Sequence, residues 1–243
     1  MLYADNLCLT ANTPDQLQIM LDKLSGYAQR KGLLVNAAKS EVVHFNSRGD
    51  NVPVFKLGGA LLANKDLFKY LGMVFTKTHN MAAAAEHMLA PFMAGCQRIR
   101  QFAAEHHLTD RPHALLWLAK TYAVPASMYA CQIWGTKFMR QGAEMDCPLQ
   151  TVHLCLLKGF LGVKRATPNW SVLRECGQEP LQFYWFCAAA RFYNALLGSN
   201  STVLSKVLKA DVTLSASNRQ CWTAEFLEAC NGLNRRDVFA QCV

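Results

Sequence analysis

The sequence predicts an α+β protein, a small antiparallel sheet with one packed helix followed by an all-α region. Three observations carry that prediction. Short β-type runs punctuated by turn residues fill roughly the first 78 positions. One strongly capped amphipathic helix lies among them. From there on, apolar residues recur almost wholly at steps of three and four. The expected organisation is therefore residues 1–78 as a mixed unit, 79–198 as a helical unit and 199–243 as a helical extension.

In chain order, residues 1–4 and 7–10 read as strands joined through the polar pair Asp5-Asn6, which suits a tight turn. Thr13-Pro14-Asp15-Gln16 is a capping box with proline at the first helical position. Leu17, Met20, Leu21, Leu24, Tyr27 and Ala28 then follow at helical spacing, and Gly32 supplies the stop. Residues 33–35 and 42–45 read as strands flanking 36–41. A further strand pair brackets Gly58-Gly59, and residues 68–75 read as a last strand broken by Gly72.

The helical part opens with Met81, Ala85, Met88, Phe92, Cys96, Ile99 and Phe102 as one apolar stripe. Pro91 is expected to kink it, because the ring removes a backbone donor and crowds the carbonyl of His87. A very apolar helix from about Pro112 is expected to be interrupted at Pro125 and to end near Trp134-Gly135. Pro148 and Pro180 start two more helices, closed by Gly162 and Gly198. Shorter helices are expected around 201–209 and 222–230.

Composition narrows the function classes. The chain has 243 residues, 51% hydrophobic and 17% charged, so it can build a core without metal or disulfide help. Its longest apolar runs, 114–119 and 183–190, stop at Lys120 and Arg191, far short of the ~18 residues a spanning helix needs. No membrane partner is expected. Lys and Arg outnumber Asp and Glu by 25 to 17, a net charge of +8 that suits a polyanionic partner such as nucleic acid. None of the ten cysteines forms a C-x-x-C pair, so zinc-ligand spacing is missing. They read as reduced core residues, which implies an intracellular, reducing compartment. The opening residues carry no basic segment leading into an apolar stretch, so no secretory leader is expected.

The order of short motifs is more specific. Tyr3-Ala4-Asp5-Asn6, the capped helix, Gly32-Leu-Leu-Val-Asn36-x-x-Lys39-Ser40-Glu41 and Phe68-Lys69-Tyr70-Leu71-Gly72 follow one another. Tyr129-Ala-Cys-Gln-Ile-Trp134-Gly135, Leu161-Gly162-Val163, Thr167-Pro168 and Glu175-x-Gly177-x-x-Pro180-Leu181 continue the series. Over about 200 residues this order resembles the C-terminal part of the reverse transcriptases of non-LTR retrotransposons: an edge of the palm, its primer grip and the thumb.

In that family, nucleotide addition uses two metal ions held by carboxylates from separate palm strands. The resemblance places Asp5 and Asn6 at the two acidic positions of the catalytic hairpin. Asn6 brings a neutral oxygen where a carboxylate is needed. The resemblance begins at the hairpin, so the family's upstream aspartate has no counterpart here. It thus implies Asp5 and Asn6 as relic positions, with no catalytic residue, metal or cofactor. His106-His107, His113, Glu86-His87 and Glu105-His106 form no recognisable zinc or nucleophile pattern either.

What survives is the apparatus for holding a nucleic acid by its backbone, which needs cations and aromatic faces. The expected contacts are Lys39, Lys69, Tyr70, Arg98, Arg100, Lys120, Lys158, Lys164, Arg165 and Trp170. The cluster from Lys158 to Arg165 beside Trp170 is the strongest. The expected function is a non-catalytic RNA-binding or structural subunit of a ribonucleoprotein. A ribosome, for instance a mitochondrial one, fits the basic charge and the thiols. Its partners would be structured RNA and other protein chains covering an open palm edge. The alternative is an RNA-directed DNA polymerase fragment, active only with a missing or separate N-terminal half; a protein-only scaffold is the third.

Overall fold

The protein is described by a computed structural model covering residues 2–3, 6–45, 53–139, 147–217 and 221–232. It is mixed α+β and rich in helix, and it divides into two compact units, Met1–Asn80 and Met81–Val243.

In the first unit, β1 (Leu2–Tyr3) and β2 (Asn6–Leu7) pair antiparallel, Tyr3 opposite Asn6. Asn6 is therefore a strand residue and not part of the turn expected at Asp5-Asn6; Asp5 lies outside the described residues.

Helix α1 (Pro14–Lys31) starts as expected. The Thr13 hydroxyl accepts the Gln16 N–H at 3.3 Å, and Pro14 occupies the first turn, where its missing donor costs nothing. The Gln16 side chain reaches back to the Asn12 N–H, one residue before the usual partner in a capping box. At the other end Gly32 adopts φ +65°. Leu33 N–H then closes onto the Ala28 carbonyl at 2.9 Å, with Gly32 N–H on that of Gln29. This left-handed stop strains any residue but glycine.

The core beneath α1 consists of Leu21, Val42, Phe55, Leu57 and Leu62, with Leu9, Leu17, Leu24 and Ala37 packed around it. Gln18 acts as an extra strand rung: its amide donates to the Lys56 carbonyl at 2.9 Å and accepts the Lys56 N–H at 3.0 Å. This ties α1 to β4 (Lys56–Leu57), which pairs antiparallel with β5 (Ala60–Leu61) across Gly58-Gly59, both at positive φ.

Three expectations for this unit fail. Residues 33–35 form no strand; Leu33, Leu34 and Val35 run exposed into a 3-10 turn, Ala37–Lys39, capped by the Asn36 side chain. β3 (Glu41–Val43) pairs with β6 (Ala63–Lys65) in parallel, so the unit is not one antiparallel sheet. Among the described residues it holds four separate two-stranded sheets, three of them antiparallel. Finally, residues 68–75 do not make one strand. β7 (Leu67–Tyr70) folds back on β8 (Met73–Thr76) through Leu71-Gly72, at φ +48° and +81°. Two successive positive φ values are what a two-residue hairpin demands. Stacked Phe68 and Phe75 rings, 5.1 Å apart, fix the register.

The second unit begins with α2 (Ala82–Glu105), which runs through Pro91 without a break in its helical assignment. Its apolar stripe is buried at Ala85, Met88, Phe92, Cys96 and Ile99, whereas Phe102 is exposed and stacks on His106. α3 (Pro112–Leu118) passes into a π-helical turn, Ala119–Ala123, and then α4 (Val124–Ser127). The interruption thus precedes Pro125. In a continuous α-helix the Pro125 ring would crowd the Thr121 carbonyl, and the widened turn relieves that contact.

Beyond α5 (Cys131–Trp134) and a 3-10 turn (Gly135–Phe138), α6 (Pro148–Phe160), α7 (Asn169–Glu175) and α8 (Leu181–Leu197) complete the main body. Trp134 and Trp185 meet edge to face at 4.9 Å, both fully buried, with Phe138 beside them. Each indole N–H is satisfied, by the Tyr129 and Ser127 carbonyls respectively. Gly135 permits this approach, since an added Cβ there would lie 3.0 Å from that of Trp185.

α9 (Thr202–Ser215) and α10 (Trp222–Gly232) are joined by the Asp211 carboxylate, which accepts from both the N–H and the hydroxyl of Thr223. α10 also packs inward. Phe226 and Cys230 join Ala189 of α8 in one core, and the Trp222 indole donates to the Gln132 carbonyl at 2.8 Å. The described part of the expected C-terminal extension thus belongs to the helical unit.

Candidate nucleic-acid interface

The expected contact residues fall into three kinds of place. Lys39, at the end of the 3-10 turn, and Lys69, on β7, are exposed charges of the first unit; Tyr70 is half-buried opposite Met73. Arg98 and Arg100 are exposed on α2, and Lys120 is exposed within the π turn. The remaining residues gather between α6 and α7.

That last segment is built around a fixed turn. α6 ends with Gly162 at φ +65°, Gly162 N–H bonding to the Gly159 carbonyl and Val163 N–H to that of Lys158. Thr167 N–H then returns to the Lys164 carbonyl at 3.0 Å. Beneath the turn, Leu157, Val172 and Cys176 form a small core with Leu116, Phe160, Leu161 and Leu173.

Lys158 has a different role from the one expected. It is only 9% exposed, and its ammonium donates to the Arg165 carbonyl at 2.7 Å. A buried ammonium tied to backbone is not presented to phosphate. It braces the turn that displays Lys164 and Arg165, both exposed. Trp170, in the first turn of α7, is 67% exposed. A large aromatic face held in water, a few residues along the chain from two exposed cations, suits stacking and anionic oxygens.

Two exposed aromatics escape the sequence reading. Trp117 and Tyr122 are each 62% exposed. Both fall in a stretch that hydropathy alone assigns to an apolar, core-forming helix. Pro125 marks a break close by, but nothing in the composition of the stretch singles out Trp117 or Tyr122.

Among the described residues, the buried cysteines are poor nucleophiles. Burial pushes the Cys131 thiol up to about 12 and those of Cys96 and Cys230 to about 11. Cys147 and Cys176 are raised by the same cause. No disulfide joins any of the nine cysteines there, and no three of His, Cys, Asp and Glu converge as a metal set. His153, on α6, is 1% exposed with neither ring nitrogen hydrogen-bonded, and burial lowers its pKa to about 4. It is a neutral core residue at ordinary pH. No described helix is long and apolar enough to cross a membrane.

Comparison with protein-family models, with curated proteins and with solved structures finds no match to this chain.

Proposed function

We propose that this chain is a non-catalytic RNA-binding and structural subunit of a ribonucleoprotein assembly, a ribosome among the candidates. The reading treats it as the palm edge and thumb of a non-LTR reverse transcriptase, kept for holding RNA after its chemistry was lost. The observation that carries it is the braced turn between α6 and α7, with Lys164, Arg165 and Trp170 all held in solvent. Such a surface contacts backbone and bases without needing carboxylates. The +8 net charge supports the same partner by long-range attraction.

A protein partner belongs to the reading as well. Parallel strand pairs are ordinarily covered on both faces, yet β6 is exposed along its whole length beside β3. Leu33, Leu34 and Val35 lie open in the same unit. Other chains of the assembly would cover these groups.

The test is RNA binding by the full chain over a range of salt. The reading expects the logarithm of affinity to fall with the logarithm of salt at a slope of several units. It also expects no primer extension with magnesium or manganese. Flat salt dependence removes RNA as the partner, and primer extension by this chain alone turns the assignment to a polymerase.

A further inference from the structure

The π turn does more than accommodate Pro125. In a continuous α-helix, residues five apart point about 140° away from each other. Bonding from i to i+5 rotates them toward the same side. Trp117, on α3, lies just before the π turn and Tyr122 lies within it, and both are exposed. Lys120 and Thr121 lie exposed between them, while Ala119 and Ala123 are buried beneath. Gly95 of α2 lies against the π turn, where an added Cβ would stand in ordinary contact, 3.6 Å from the Ala123 Cα. From Pro112 to Ala123 there is no acidic residue.

This surface is linked to the α6–α7 turn through a shared core. Leu116, next to Trp117, packs against the cluster that contains Val172, two residues after Trp170. Leu116 and Val172, each close in sequence to one of the tryptophans, thus share one small apolar core, and Lys120, Lys164 and Arg165 are exposed on the segments that meet there. Aromatic faces interleaved with cations suit a single strand. Each ring accepts a base of any identity, and the cations follow the phosphates. A paired helix offers no free base faces along its length.

We propose that Trp117, Tyr122 and Trp170 form a stacking track for unpaired bases of an RNA strand whose phosphates are held by Lys120, Lys164 and Arg165. The proposal rests on the RNA-binding function above and names the form of RNA taken at that surface.

The experiment compares a short oligouridylate with a duplex RNA of equal length, both binding to the full chain at low salt. Affinity is read by anisotropy and base stacking by quenching of tryptophan fluorescence. Trp117→Ala and Trp170→Ala should each weaken the oligouridylate about tenfold while changing duplex binding less than about twofold, as lost stacking requires. Trp170→Phe, which keeps a flat ring, should retain most of the affinity. Should an alanine variant lose helical signal, quenching in the unaltered protein and the Phe variant decide. Unchanged oligouridylate affinity in the folded alanine variants, with RNA still bound, overturns the track and leaves the broader function standing. Loss of self-association in place of RNA affinity assigns the rings to a second copy of the chain, and also overturns it. No binding of either RNA removes the function and the track together.

Discussion

The two units invest their apolar residues very differently. The first has a core of five buried side chains under one helix, and its strands are two to four residues long. Leu33, Leu34, Val54 and Leu61 stay in water there. The helical unit seals Trp134, Trp185, Phe92 and Phe226 almost completely, and both of those indole N–H groups find carbonyls. Isolated two-stranded sheets are marginal in water. The helical unit thus buries its largest apolar side chains, while the strand-bearing unit leaves much of its described apolar surface open.

The largest expected effects strike the cores. Trp185→Ala should lower the helical unit's unfolding free energy by about 3–5 kcal/mol, seen as an earlier denaturant midpoint for helical signal. Phe55→Ala carries a similar cost in a far smaller core. There it should abolish hydrogen-exchange protection across α1 and its neighbouring strands, an effect Trp185→Ala has no counterpart to in its own unit. If residues 14–31 remain protected in Phe55→Ala, the contrast in reserve stability is wrong.

His153 binds its proton at about 4 in the folded state against an ordinary 6.5. Between those values the unfolded chain holds more protons, so acidification favours unfolding. Stability is fully present above about pH 6.5 and declines as pH falls toward 4, by up to about 3 kcal/mol from this group. Urea unfolding of the helical unit at pH 7 and pH 4.5 should show the loss, and His153→Leu should flatten it. An unchanged pH dependence in that variant would place the acid sensitivity elsewhere.

The smallest effect belongs to the β7–β8 hairpin. Leu71 sits at φ +48°, which costs a branched side chain on the order of 1 kcal/mol and suits Asn well. Leu71→Asn should raise the hairpin's protection slightly, by somewhat less than that amount because some apolar contact is lost. Reduced protection would mean that the Leu71 side chain outweighs its backbone strain.

Legibility in the sequence followed how local each cause is. α1, α6 and α8 were readable because caps, prolines and a glycine stop act within a few residues. Gly58-Gly59 marked its hairpin for the same reason. The parallel pairing of β3 with β6 was not readable, since it joins segments some twenty residues apart and leaves no mark on either. Residues 33–35 have strand composition but find no ladder in the described fold. The hairpin at Leu71-Gly72 was hidden because leucine seldom takes positive φ. Among the expected contact residues, Lys164, Arg165 and Trp170 are exposed, as a contact requires. Lys158 could not be told from them, because its burial depends on how the loop beyond α6 folds back. Trp117 and Tyr122 lie in a stretch whose uniformly apolar composition leaves its water-facing side unmarked.

The proposed function puts the stronger grip on RNA at the α6–α7 turn of the helical unit, where Lys164, Arg165 and Trp170 are all exposed, and the weaker one at Lys39 and Lys69. It is tested most directly by the salt dependence of RNA binding in two paired variants of the full chain. Lys164→Ala with Arg165→Ala should weaken binding and reduce the log–log salt slope by roughly two contacts' worth, about 1.5 units. Lys39→Ala with Lys69→Ala should leave the slope nearly unchanged. The opposite pattern, with the loss confined to Lys39 and Lys69, would contradict the account.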